Sequence, residues 1–79
     1  MAEVYLSELN TGDCMVVQTL SLCTDFRQRL QDLGMLPGSS VACAYIAPSG
    51  SPMAFWVKGA LIALRKDDCC RIRGVRCCE

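Results

Sequence analysis

The chain has no histidine and no excess of charge of either sign, and these absences exclude several kinds of function. Its 79 residues include eight basic and eight acidic side chains, which cancel to a formal net charge of zero. Non-specific nucleic-acid binding depends on neutralising phosphates, so we expect no nucleic-acid partner. A neutral chain also lacks the basic excess that holds peripheral proteins at an anionic membrane surface.

Long apolar runs are missing as well. The unbroken apolar stretches are far shorter than the ~20 residues that a membrane-spanning helix needs, so we expect no insertion into a bilayer. Residues 1–4 do not combine a basic start with a following apolar stretch, so no secretory signal is predicted. We therefore expect a cytoplasmic protein.

The residues that usually carry out catalysis are also scarce. Without histidine, the commonest general base and a frequent metal ligand are both missing. No glycine-rich phosphate loop of the Walker type is present. Asp67 and Asp68 are better explained as negative charge at the start of a helical turn than as a catalytic pair. The sequence predicts that the chain is not an enzyme.

What the sequence does contain is a regular alternation of short strands and turns in one domain spanning residues 1–79. Apolar residues make up 52% of the chain, enough for a small core. A helix is predicted over residues 24–34, with Thr24 as its N-cap and an apolar stripe of Phe26, Leu30 and Leu33. Strands are predicted over residues 14–20, 40–47, 53–58, 61–65 and 72–77.

Side-chain alternation within these strands predicts which residues face the core. Met15, Val17 and Thr19 are predicted to share one face of the first strand. Val41, Cys43 and Tyr45 alternate in the same way in the second strand. Five short strands with one or two short helices, the second beginning near Asp67, predict a mainly β fold and a small closed barrel that hides its edges.

Seven cysteines are the exceptional feature of the composition. Their number is odd, no export signal is predicted, and two pairs are adjacent in sequence, so we interpret them as reduced thiols and not as a disulfide framework. Four thiolates hold zinc tetrahedrally, and the two doublets therefore form a candidate metal site: Cys69, Cys70, Cys77 and Cys78. One cysteine from each doublet joined by Cys14, Cys23 or Cys43 is an alternative ligand set. A buried, purely structural role is a further alternative, and for Cys43 it is the favoured one.

Three apolar residues are candidates for contact with a partner protein. Met35 and Leu36 lie in the connection between the helix and Pro37, and Trp56 lies on the strand face opposite Phe55. Methionine suits an adaptable contact surface, and tryptophan is frequent among interface anchors. The alternative for Met35 and Leu36 is that both simply cover one end of the barrel.

Four short motifs occur in order along nearly the whole chain: Leu6-x-x-Leu9-x-x-Gly12, Arg29-Leu30-x-x-Leu33-Gly34-Met35-x-Pro37-Gly38-x-x-Val41, Pro48-x-Gly50-x-Pro52 and Gly59-x-x-Ile62-Ala63-Leu64-Arg65. Together they resemble the FeoA family, the small cytosolic ferrous iron transport protein A. The resemblance implies an SH3-like barrel of five strands. The motif residues have plain structural interpretations as turn glycines and core apolar residues, so the motifs are mainly a signature of the fold.

The resemblance also implies a function. Members of the family act with FeoB, a membrane protein that combines a GTPase domain with an iron pathway, so we expect an accessory protein that binds this GTPase and modulates it. No cofactor is required for such a role, and a homodimer is compatible with it. The alternative function is a cysteine-based sensor that binds zinc or iron or responds to redox state. The SH3-like domain of an iron-dependent repressor is a third hypothesis, but it needs an attached DNA-binding domain for which 79 residues leave no room.

Overall fold

The computed structural model describes residues 3–77, which form a single antiparallel sheet and two short helices. In chain order the elements are β1 (Glu3–Tyr5), a 3-10 turn (Leu6–Glu8), β2 (Cys14–Leu20), α1 (Thr24–Asp32), β3 (Ser40–Ile46), β4 (Met53–Val57), β5 (Ala60–Leu64), α2 (Lys66–Cys69) and β6 (Ile72–Arg76). The mainly β prediction is confirmed. The described residues contain six strands and not five, because β1 is too short for alternation to indicate it.

The strands follow the order β1-β6-β2-β3-β4-β5, so β1 and β5 are the two edges of the sheet. Within residues 3–77 no ladder joins these edges, and the closure expected of a complete barrel is absent. The sheet nevertheless wraps around a core, because bulges in β2 and β3 increase its local twist and bend. No helix in this part of the chain is long and apolar enough to cross a membrane.

The two bulges change which side chains face the core. In β2 the register shifts between Val17 and Thr19, and Leu20 takes the buried position while Thr19 stays half-buried. In β3 the shift lies between Cys43 and Tyr45, so Tyr45 faces outwards. The predicted alternation is therefore correct up to each bulge and wrong beyond it, since one inserted residue reverses the face of everything that follows.

Helix α1 is shorter than predicted and packs through fewer residues. Its N-cap residue is Cys23, not Thr24, and its last helical residue is Asp32. Leu30 is buried and Phe26 packs partly against the core, but Leu33 is 46% exposed. The helix has already ended at Leu33, so that side chain leaves the apolar stripe.

Gly74 brings β6 unusually close to β2. It lies opposite Val17 in the ladder, and a Cβ at this position would overlap the carbonyl oxygen of Val16 and lie 2.9 Å from its carbonyl carbon. Only glycine permits that approach. Glycine at this position therefore allows β6 to lie close against β2.

Candidate partner-docking surface

A two-residue turn sets the register of the hairpin that carries Trp56. Lys58 and Gly59 form this turn, both with positive φ (51° and 83°). This is the backbone geometry of the hairpin turns that match the twist of the flanking strands. The turn places Trp56 directly opposite Leu61 on β5.

The same row of side chains continues across the outer face of the sheet. Trp56 also lies opposite Ala42 on β3, and Ala42 lies opposite Cys14 on β2. Residues opposite each other in a ladder share a face, so Leu61, Trp56, Ala42 and Cys14 form one apolar row, called the outer row below. Trp56 is 50% exposed and Leu61 is 56% exposed.

A second group of apolar side chains extends this surface. Ala54 lies opposite both Tyr45 on β3 and Ala63 on β5. Tyr45 and Ala63 are exposed, whereas Ala54 is nearly covered. The outer face of β4 and β5 thus presents an aromatic and aliphatic surface with no charged side chain at these positions. Such a surface is typical of a protein-contact site.

Of the three predicted contact residues, Met35 is buried. The end of α1 is a Schellman motif: Gly34 has φ of +107°, its N–H donates to Gln31 O at 3.0 Å, and Met35 N–H donates to Leu30 O at 3.0 Å. In this motif the residue after the glycine packs back against the last turn of the helix. Met35 is therefore fully inside the core and not available to a partner.

Leu36, in contrast, is 43% exposed. Its N–H donates to Gly34 O at 3.1 Å and to Ser39 Oγ at 3.2 Å. Ser39 is itself buried, and its hydroxyl donates to Gly34 O at 2.9 Å. These bonds hold the backbone of the turn in a conformation that leaves the side chain of Leu36 at the surface. Leu36 and Trp56 remain candidate contact residues.

The cysteines predicted to hold a metal are not brought together in the part of the chain that the structure describes. Cys69 is fully buried, Cys70 Sγ donates to Ser7 Oγ at 3.4 Å, and Cys77 Sγ lies 4.0 Å from Ser40 Oγ. Cys78 lies outside the described residues. Across residues 3–77 no three Cys, Asp or Glu side chains converge as metal ligands, so the donor set does not fit a zinc ion there.

The chemistry of the two buried thiols also disfavours metal binding, since the thiolate is the metal ligand. Burial raises the pKa of the Cys69 thiol to about 12, and the neighbouring Asp68, Cys70 and Cys43 add to this increase. Burial also raises the pKa of Cys43; the backbone N–H of Tyr45 offsets part of the increase, and Asp13 adds to it. Both behave as small core residues, as predicted for Cys43.

Two exposed apolar residues, Leu61 and Tyr45, were not predicted as contact residues. A signal for Leu61 exists in the sequence, because a two-residue turn at Lys58 and Gly59 necessarily places Leu61 opposite Trp56. No comparable signal exists for Tyr45. Its exposure depends on a bulge that the residues of β3 do not indicate.

Comparison with known proteins identifies the fold and the family. The FeoA domain model matches residues 4–76. The solution structure of the FeoA protein from Chlorobium tepidum is 30% identical, with a TM-score of 0.86 over 91% of this chain and 70% of its own. The zinc-complexed FeoA from Stenotrophomonas maltophilia, described as a prokaryotic SH3 domain protein, is 29% identical, with a TM-score of 0.74 over 87% of this chain and 86% of its own. These similarities confirm the SH3-like fold.

A curated relative is much longer than this chain. The Fe(2+) transport protein A/Fe(2+) transporter FeoB fusion protein of Porphyromonas gingivalis is 30% identical over 67 residues, which cover 85% of this chain but only 8% of the fusion protein. The match of the family model over nearly all described residues, with the similarity of the fold, shows that the chain belongs to the FeoA family.

Proposed function

We propose that this chain is a cytoplasmic accessory domain of ferrous iron uptake that binds a FeoB-type membrane GTPase and modulates its activity. The observation that carries the proposal is the fusion protein of Porphyromonas gingivalis, in which a FeoA region similar to this chain is joined to the transporter FeoB. Fusion keeps two modules at a high effective concentration, which is useful when the modules bind each other.

The arrangement of side chains supports binding rather than catalysis. The outer row offers half-exposed tryptophan and leucine side chains on a rigid sheet, and Leu36 adds an exposed apolar side chain in a hydrogen-bonded turn. Rigid aromatic anchors lose little conformational entropy on binding and commonly dominate interface energy. We assign no catalytic residue and no resident cofactor to this chain.

The direct test measures binding to the purified full-length FeoB-type transporter of the same organism, in each nucleotide state, together with its rate of GTP hydrolysis. We expect saturable binding that Trp56→Ala weakens about tenfold or more. Leu36→Ala is the second candidate variant. Leu33→Ala is the matched control, because Leu33 has a similar exposure but lies at the end of α1.

The proposal fails if no nucleotide state of the transporter binds the chain. If the chain binds but the rate of GTP hydrolysis does not change, the transporter is the partner and modulation of its GTPase activity is excluded. An affinity of Trp56→Ala equal to that of the wild-type chain would support the same partner but exclude Trp56 as an anchor of the contact.

The alternative function, a cysteine-based metal or redox sensor, is favoured by one observation, the zinc complex of the Stenotrophomonas maltophilia relative. The separated thiols of residues 3–77 and the high pKa of Cys69 count against it. Native mass spectrometry of protein purified under reducing, oxygen-free conditions distinguishes the two functions. A stoichiometric metal that is lost on replacing Cys70 or Cys77 with serine would support the sensor.

A further inference from the structure

Strand β5 leaves one edge of the sheet open. It is the last strand of the sheet, paired only with β4 within residues 3–77. The residue pair that closes a two-residue turn, here Val57 and Ala60, exchanges backbone hydrogen bonds. Along the hairpin, hydrogen-bonded pairs then alternate with pairs that make no backbone hydrogen bond to each other. Ile62 therefore also bonds β4, whereas Leu61 and Ala63 direct their backbone N–H and C=O groups away from it.

The residues of β5 themselves carry none of the usual devices that protect an edge. The five residues of β5 are Ala-Leu-Ile-Ala-Leu, without charge, proline or bulge. Ala60, Leu61 and Ala63 are exposed, and within residues 3–77 β4 is the one strand that pairs with β5. An uncharged, apolar edge strand of ordinary length is a template for an additional strand.

Basic side chains lie at both ends of this edge. Lys58 precedes β5 in the hairpin turn, and Arg65 and Lys66 follow it; all three are exposed. The ion pairs of the described residues, Glu3 with Arg73 and Asp13 with Arg76, include none of these three. The acidic residues Asp67 and Asp68 come next, in α2, so the basic side chains at this end are confined to the two residues that directly follow β5.

The charges at the two ends argue against a second copy of this chain as the added strand. In the antiparallel register that pairs all five residues of β5 with those of another copy, Ile62 opposes Ile62, and the turn residue Lys58 of one copy lies at the same end as Arg65 and Lys66 of the other. Bringing like charges to the same end of the strand pair disfavours this pairing. An apolar segment with acidic ends has the complementary charge.

From this geometry we propose that β5 accepts an additional strand from a partner protein, an extended apolar segment flanked by acidic side chains. The backbone groups of Leu61 and Ala63 bind the main chain of that segment. Its acidic ends pair with Lys58 at one end and with Arg65 and Lys66 at the other. The outer row lies beside the added strand and contacts its outward side chains. This inference deepens the proposed function and rests on it only for the identity of the partner.

The test uses two synthetic peptides with the same central sequence, Val-Thr-Val-Thr-Val. One peptide has two aspartates at each end and the other has two lysines at each end. Binding to the isotope-labelled chain is followed by NMR. We expect the acidic peptide to bind at least about tenfold more tightly, to shift and protect the amides of Leu61 and Ala63, and to weaken as salt is raised.

Two variants of the chain separate the roles of the backbone and of the charges. Ala63→Pro removes an outward N–H and should abolish binding of the acidic peptide. The double variant R65E/K66E leaves the backbone of β5 intact, so it remains informative if Ala63→Pro does not fold, and it should reverse the preference between the two peptides. The matched control is R27E/R29E, which reverses two charges on α1.

The outcomes separate this inference from the proposed function. If neither peptide binds, or if both bind equally, the inference is wrong. If the transporter binds but excess acidic peptide does not displace it, the edge is not the transporter's docking site, and the proposed function stands without this inference. If the peptide binds but the transporter does not, the open edge is confirmed and the proposed function fails.

Discussion

The two edges of the sheet are built in opposite ways. Strand β1 has three residues and one of them, Glu3, is charged and pairs with Arg73 at 3.3 Å. The chain then turns away at once, and the Glu8 carboxylate accepts the N–H of Tyr5 at 2.8 Å. Strand β5 has five apolar residues and carries its charges only beyond its ends. Short, charged edges resist further pairing and long apolar edges invite it, so the difference indicates which edge is available for binding.

The largest effect on stability is expected at β6, the strand that joins the short, charged edge strand β1 to the rest of the sheet. Gly74→Ala would force its Cβ into the carbonyl group of Val16, and because a backbone atom cannot rotate aside as a side chain can, β6 must move away from β2. We expect a loss of at least about 3 kcal/mol in the free energy of unfolding, measured with urea.

Gly50→Ala is the control for that variant. Its Cβ would meet no atom within 4 Å, and the strain comes only from a φ of +93°. It should cost about 1 kcal/mol. Equal losses for the two variants would show that the close approach of β6 and β2 contributes little to stability.

A pair of proline substitutions tests the open edge directly. Ala60→Pro removes an N–H that bonds β4 next to the turn and should cost about 2 kcal/mol in unfolding free energy. Ala63→Pro removes an N–H that points outwards, so it should cost less than about 1 kcal/mol. Both replaced alanines are exposed, which makes the comparison a matched one. A larger cost at Ala63 would mean that its N–H bonds β4 and that the assigned alternation is wrong.

Cys69 lies in α2, the short connection between β5 and β6, and makes stability depend on pH. Its pKa rises from an ordinary 9.0 to about 12 in the folded protein, so the folded state keeps a proton that the unfolded state loses. This contribution to stability is fully present below about pH 9 and declines by up to about 1.4 kcal/mol per pH unit as the pH rises towards 12.

The measurement is urea unfolding at about pH 8 and about pH 11 under reducing conditions. The wild-type chain should lose more stability over this interval than Cys69→Ala, which has no thiol to ionise at this position. Parallel losses in the two proteins would contradict a buried, neutral Cys69.

The smallest effect is expected at the charged residue of the protected edge. Glu3→Gln breaks the ion pair with Arg73; both side chains are about half-exposed (43% and 49%), so solvent screens much of the interaction, although Arg73 Nε itself is buried. We expect a change in unfolding free energy of less than about 0.5 kcal/mol, and a smaller one in high salt. A markedly larger loss would show that charge, and not the shortness of β1, is what maintains this edge.

The order of strands and turns could be read from the sequence because local chemistry determines it. The turn at Lys58 and Gly59 fixes the pairing of β4 with β5, and Gly34 ends α1 in a conformation that only glycine adopts easily. The motifs that indicate the FeoA family are made of these same turns and core positions, so sequence alone was sufficient for the family and the SH3-like fold class, but not for the sixth strand or the open edges of the sheet.

The tertiary structure decided which side chains are accessible. The sequence leaves Met35 open between a contact residue and a covered residue at the end of the barrel, and the structure buries it because the Schellman motif folds it back onto the helix. Tyr45 looked buried but faces solvent, because a bulge reversed the alternation of β3. Cys69, Cys70 and Cys77 are close in sequence but lie in different surroundings. Exposure depends on strand register and on contacts between distant segments, and short-range patterns contain neither.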